Sequence, residues 1–244
     1  PFRRIKFKDA ILKYGSDKPD LRNPLIIEDI SDIMGKSDFA PFKDTVVRCI
    51  KVENIEKSNS WYKSMEEYVK GLHGNLGYIQ VKEGMELKSS LTKFMSDEVK
   101  NELIEKMNLH ENDALFIVAD KNRCARIMGN LRTKLGQELD LIDKNRYEFC
   151  IINDFPFYEE NEETGAIEFS HNPFSMPKGG LDALNNKNPF EIEAFQYDFV
   201  CNGYEMASGG VRNHSPEILK KAFELVGYGE DIVRSKFPSL YEAF

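Results

Sequence analysis

Apolar and polar positions follow two different rhythms along this chain. Between residues 45 and 135, short apolar runs at 45–51, 77–82 and 114–119 read as strands. They are separated by stretches of helical period around 61–72 and 96–107, with a further helix expected from residue 121 onward. In that last helix Cys124, Met128, Leu131 and Leu135 share one face, and Asp120 is a candidate N-cap. The pattern predicts a compact α+β module. Its Arg123, Arg126 and Arg132 either line a solvated helix face or meet RNA.

From residue 146 the apolar strands lengthen, to 147–154 and 191–202, with a loop rich in Asn, Pro and Gly at 172–189 between them. A second domain is expected to begin near there. It continues into a well-marked helix: Ser215 as N-cap, Pro216 at the first position, Leu219, Ala222, Phe223 and Val226 on one face, and Gly227 at its end. The chain opens on Pro1-Phe2-Arg3-Arg4-Ile5 without a start signal, and residues 239–244 read as the middle of a helix. An internal piece of a longer protein is expected.

Length and charge narrow the classes. A chain of 244 residues supports two modest domains. No apolar run approaches the roughly 20 residues that cross a bilayer, and no basic-then-apolar leader opens the sequence. A soluble, cytoplasmic protein without a membrane partner follows as the expectation. Residues 135–244 hold 9 basic against 20 acidic side chains, and the net charge of −8 argues against a nonspecific nucleic-acid binder. The four cysteines form no Cys-x-x-Cys pair and the four histidines do not cluster, so any metal chemistry should use carboxylates.

The most informative stretch runs from Tyr197 to Arg212. Asn202-Gly203 between strand-like runs predicts a type I′ hairpin, because that turn needs positive φ at both central residues. If Cys201 pairs with Tyr204, Val200 faces Glu205 and Asp198 faces Ala207, which leaves Asp198 and Glu205 as diagonal neighbours on one face. Two such carboxylates suit Mg²⁺ carrying a polyphosphate; the alternative is a pair of polar positions on a wet sheet face. Arg212 would point to the opposite face of a regular strand. A bulge at Gly209-Gly210 would bring it round to the carboxylates, where its planar fork suits an acidic substrate. His171, before Asn172-Pro173, either donates to a substrate anion or is a structural hydrogen-bonder. The stretch from Tyr14 to Arg22 is expected to be a turn with Asx-type hydrogen bonds, the other reading being a loop that reaches toward substrate or tRNA.

Four of these stretches carry a resemblance: Gly15 through Pro24, Asp154-Phe155-Pro156-Phe157-Tyr158, His171-Asn172-Pro173-Phe174, and Tyr197 through Arg212. Their order and spacing are similar to those of bacterial aspartyl-tRNA synthetases, a class II family, over essentially the whole chain. The resemblance implies an α+β fold, an antiparallel catalytic sheet with helices, incomplete here and interrupted by a smaller α+β insertion domain. It assigns residues 31–135 to the insertion and joins 1–30 and 136–244 as one catalytic body.

By position, Glu205 resembles the ATP-contacting glutamate, and Asp198 with Glu205 the magnesium-binding pair. Arg212 resembles the arginine that binds the aspartate side chain, and His171 a histidine that contacts aspartate. No residue is given a covalent or proton-transferring role. The implied enzyme is a ligase that uses ATP with Mg²⁺ to activate L-aspartate and passes it to tRNA(Asp), with tRNA(Asn) a further candidate, as a homodimer. The family's anticodon-binding barrel and its motifs 1, 2 and 3 are not found in this sequence, so the chain alone is expected to be incompetent. Met206-Ala207-Ser208 also stand where the family favours glycines. A rival reading treats residues 31–135 as a tRNA-contacting binding module without catalysis; an intact hairpin at 197–212 favours the ligase.

Overall fold

A computed structural model describes residues 1–161 and 163–229, with Asp231, Ile232 and Ser235. The helix expected at 239–244 lies outside the described residues. Along the chain run β1 (Arg3–Lys6), α1 (Phe7–Tyr14), β2 (Ile27–Asp29), α2 (Ser31–Met34), β3 (Val47–Val52) and α3 (Asn59–Gly71). Then come β4 (Leu76–Val81), β5 (Leu87–Lys88), α4 (Asp97–Met107), β6 (Ala114–Ala119) and α5 (Cys124–Glu138). The remainder is β7 (Phe149–Pro156), β8 (Tyr158–Glu160), β9 (Ile167–Phe169), α6 (Gly180–Asn186), β10 (Glu193–Cys201), β11 (Tyr204–Gly210) and α7 (Pro216–Leu225). Contacts divide the chain into two compact units, residues 1–8 with 149–244, and residues 9–148. The α+β class read from the sequence is the one observed.

The first unit is built on a four-stranded sheet of order β1-β7-β10-β11. It is antiparallel except at β1, which lies parallel to β7 with Arg3 opposite Cys150 and Lys6 opposite Asn153. Helix α7 begins where the sequence marks it. The Ser215 hydroxyl accepts from the Ile218 N–H at 3.4 Å, Pro216 occupies the first turn where its missing donor costs nothing, and Leu219, Ala222 and Phe223 are buried. Tyr158 ties the helix to β8 by donating to the Ala222 carbonyl at 2.9 Å.

The second unit is a five-stranded antiparallel sheet, β2-β3-β6-β4-β5, covered on both faces. Alternation along β6 explains this. Leu115 and Ile117 join Met34, Val99 and Leu103 of α2 and α4, whereas Phe116 and Val118 join Met65, Val69, Ile127 and Leu131 of α3 and α5. Helix α5 starts three residues later than the position of Asp120 predicts. The Asp120 carboxylate accepts from the Asn122 and Arg123 N–H groups, so it closes an Asx turn ahead of the helix.

Arg132 departs from both readings given to it: it is 2% exposed and meets neither solvent nor RNA. Its guanidinium donates to the carbonyls of Leu25 (2.6 Å), Asp20 (3.0 Å) and Asn23 (2.7 Å), and Asn23 returns a bond to the Arg132 carbonyl at 2.8 Å. Residues 9–30 therefore pack with α5 in the second unit. No helix among the described residues is long and apolar enough to cross a membrane.

Candidate active site

The hairpin forms as the turn chemistry requires. Asn202 and Gly203 both have positive φ, 52° and 87°, and Cys201 pairs with Tyr204 and Val200 with Glu205. Beyond that pair the register shifts. Phe199 stands opposite Ala207 and Asp198 opposite Ser208, so Met206 is the extra residue of a bulge. The sequence-based pairing of Asp198 with Ala207 is corrected accordingly, and so is the site of the bulge.

The parity change expected of Gly209-Gly210 is made at Met206 instead. Counting from Glu205 through the bulge, Ser208, Gly210 and Arg212 fall on the face that Val200, Asp198 and Gln196 present from β10. Glu205 and Asp198 share that face, as read from the sequence. Asp198 is 4% exposed, between Ile152 of β7 and Ser208 of β11, while Glu205 is exposed.

Of the two glycines, Gly210 serves close approach. A Cβ on Gly210 would lie 2.8 Å from the Phe195 carbonyl oxygen and 3.2 Å from the Ser175 hydroxyl. That space admits residues 174–178, which run beside the strand ends: Arg212 is bridged to Ser175, and Ala194 to Pro177. The Arg212 guanidinium lies 5.6 Å from the centre of the Phe174 ring.

His171 is exposed on the same segment, edge-on to Phe155 (4.9 Å) and Phe7 (5.6 Å). Its Nδ1 is 2.8 Å from the Ser170 hydroxyl, which itself donates to Glu159 at 2.9 Å. A hydroxyl has one proton, so Ser170 accepts from His171 Nδ1–H and the neutral ring presents a bare Nε2. To donate to a carboxylate through Nε2, the ring must take a second proton.

Among the described residues no three His, Cys, Asp or Glu side chains gather as a protein-only cation site. Two carboxylates on one face still fit Mg²⁺, which draws much of its coordination from phosphate and water. All four cysteines are buried free thiols; burial pushes Cys124 and Cys150 up to about 11 and Cys49 higher still, so none of these three is a ready nucleophile.

The Tyr14–Arg22 stretch is a turn of the expected kind. Ser16 Oγ accepts from the Lys18 N–H at 3.0 Å, and Asp20 accepts from the Arg22 N–H at 3.0 Å and from its guanidinium through both oxygens. Sequence reasoning passed over Lys178, which reaches Asp154 and, at 2.8 Å, Glu193. Its one signal is a lysine in an acid-rich half of the chain.

Comparison with known proteins gives the family of the chain. A family model described as class II tRNA synthetases (D, K and N) matches residues 1–244. The chain is 46% identical over 256 aligned positions to an "Aspartate--tRNA(Asp/Asn) ligase" of Rickettsia canadensis, covering 100% of this chain and 42% of that protein. Proteins of the same name from Rickettsia felis and Rickettsia prowazekii are 45% identical, with 43% and 42% of their lengths covered. The chain thus spans less than half the length of these relatives, and its hairpin and flanking segment lie within a match that runs from end to end. It belongs to the class II tRNA synthetases of the D, K and N group.

Proposed function

We propose that this chain is part of an aspartate–tRNA ligase and carries the aspartate-recognising half of its catalytic site. The observation that carries the reading is the Met206 bulge, which returns Arg212 to the sheet face of Asp198 and Glu205. One cation-binding pair and one carboxylate-binding fork on a common face suit a reaction that joins a phosphate ester and an acidic amino acid. The names of the relatives support the same reading for substrate and for tRNA(Asp), with tRNA(Asn) as the second acceptor.

In the reaction, the aspartate α-carboxylate attacks the α-phosphorus of ATP, giving aspartyl-adenylate and pyrophosphate. A terminal hydroxyl of the tRNA then takes the aspartyl group and releases AMP. Arg212 holds the side-chain carboxylate in a bidentate grip, and His171, when doubly protonated, donates to aspartate from Nε2. Glu205 contacts ATP and, with Asp198, holds the Mg²⁺, which supplies neutralisation of phosphate charge. Positioning and charge neutralisation carry the rate, and no side chain forms a covalent intermediate. Residues 31–135 serve as the insertion between the catalytic segments 1–30 and 136–244, of which 9–30 and 136–148 pack in the same compact unit as the insertion. The whole enzyme works as a cytoplasmic homodimer, and the chain alone is incompetent for charging.

Calorimetry of this chain with L-aspartate and with Mg²⁺-ATP tests the reading. Aspartate binding abolished by Arg212→Ala, and nucleotide binding weakened by Glu205→Ala, are the expected results. Aspartate binding that survives Arg212→Ala would overturn the assignment.

A further inference from the structure

The β10–β11 ladder ends at the Gln196–Gly210 pair. Past it, residues 174–178 wedge against both strands. Met176 donates to the Val211 carbonyl (2.7 Å) and accepts from Phe195 (2.9 Å), Asn213 donates to Phe174 (2.8 Å), and Lys178 donates to the Glu193 carbonyl (2.7 Å). This segment cannot hold itself straight. Pro173 and Pro177 remove two donors, and His171 and Asn172 are exposed. Its path is set from outside, and the segment carries His171, the Phe174 ring under Arg212, and the Ser175 bridge to Arg212.

The outside anchor is ionic. The Lys178 ammonium bonds the Asp154 carboxylate of β7 and the Glu193 carboxylate of β10, at 2.8 Å to the latter, and Lys6 stands 3.6 Å from Asp154. Asp154 has φ of 58°, opposite the irregularity in β10 between Ala194 and Tyr197. A non-glycine residue kept in the left-handed region calls for a reason, and the grip on Lys178 is one. Burial raises the Asp154 carboxyl, but Lys178 and Lys6 outweigh it and hold it below the ordinary range. Burial likewise lowers the Lys178 ammonium, but the two carboxylates outweigh it.

We propose that Lys178 is a positioning residue for aspartate recognition: with Asp154 and Glu193 it latches the 171–178 segment to the sheet, and so fixes where Arg212 and His171 stand. The inference rests on the reading of those two side chains as aspartate ligands. Without Lys178, two carboxylates face each other across the end of the wedge, and it lifts.

The test uses the 244-residue chain, its Lys178→Met and Lys178→Arg variants, amide hydrogen exchange, and calorimetry with L-aspartate. Lys178→Met is expected to keep the melting temperature within about 5 °C, since the ammonium is partly exposed. It should lose protection at the Met176, Phe195 and Asn213 amides, whose N–H groups bond across the wedge, and weaken aspartate by about tenfold or more. Lys178→Arg should restore both. Unchanged protection at those amides in Lys178→Met, or unchanged aspartate affinity, overturns the latch. If the unsubstituted chain binds no aspartate, the reading of Arg212 and His171 falls, and hydrogen exchange alone decides whether Lys178 holds the segment.

Discussion

Arg132 lies with its guanidinium 5.0 Å from the centre of the Tyr14 ring while donating to three carbonyls of the Asp20–Leu25 turn. Burial pulls this group down to about 10, a measure of how far it is taken out of water, and it stays charged at neutral pH. Replacing it by Met leaves three carbonyls without their donor. Arg132→Met should cost roughly 3 kcal/mol of unfolding free energy, and Arg132→Lys should recover only part, because one ammonium cannot copy the fork. Trp61, the single tryptophan, lies in the same unit, so urea unfolding followed by its fluorescence reads the loss.

Two glycines make a matching prediction of opposite sign to the usual one. A Cβ on Gly129 would lie 2.4 Å from the Gly15 carbonyl oxygen, and one on Gly15 2.4 Å from the Ala125 carbonyl oxygen. Glycine to alanine inside a helix normally stabilises by up to about 1 kcal/mol. Gly129→Ala should instead destabilise by about 2 kcal/mol or more. Gly71→Ala, where nothing lies within 4 Å, is the control and should be neutral or mildly stabilising.

Acid should loosen the same turn. Burial raises the Asp20 carboxyl, but the hydrogen bonds and charge of Arg22, with the charge of Arg132, outweigh it and hold the group below the ordinary carboxylate range. A depressed folded value gives stability that is present above the unfolded value, about 4, and is lost as pH falls through the folded one. Unfolding free energies of the parent and Asp20→Asn should therefore converge below about pH 4. Curves that stay parallel throughout would show that this carboxylate adds nothing.

Deleting Met206 tests the bulge directly. The hairpin keeps its Asn202-Gly203 turn, but Arg212 rotates to the other face. Circular dichroism should be unchanged and aspartate binding lost; binding that persists would mean parity does not set the site.

Nitrogen-15 shifts should find neutral His171 protonated at Nδ1, and Ser170→Ala should move that proton toward Nε2. A ring already protonated at Nε2 in the parent would contradict the Glu159–Ser170–His171 chain.

Local chemistry was legible. Asn202-Gly203 announced positive φ twice, Ser215-Pro216 and Gly227 bounded α7, and the Ser16 and Asp20 turns were readable from residue type. What failed depended on distant partners. Arg132 sits on the apolar stripe beside Leu131 and Leu135, but its acceptors lie 107 to 112 positions away, so its charge hid a burial that its place on the helix allowed. Lys178 finds its carboxylates 24 and 15 positions off. Glycines drew the bulge to 209–210, yet a bulge needs no glycine, and Met206 carries no mark of one.

The parallel pairing of β1 with β7 has a topological consequence. Parallel neighbours cannot be joined by a tight turn, because the chain must travel back the length of the strand before it re-enters. Residues 9–148 make that return trip, so an entire folded unit occupies the place of a simple crossover. Excising it and sealing the gap would require a bridge of about a dozen residues, not a two-residue loop. Any shorter graft would force β1 to reverse direction or leave the edge of the sheet.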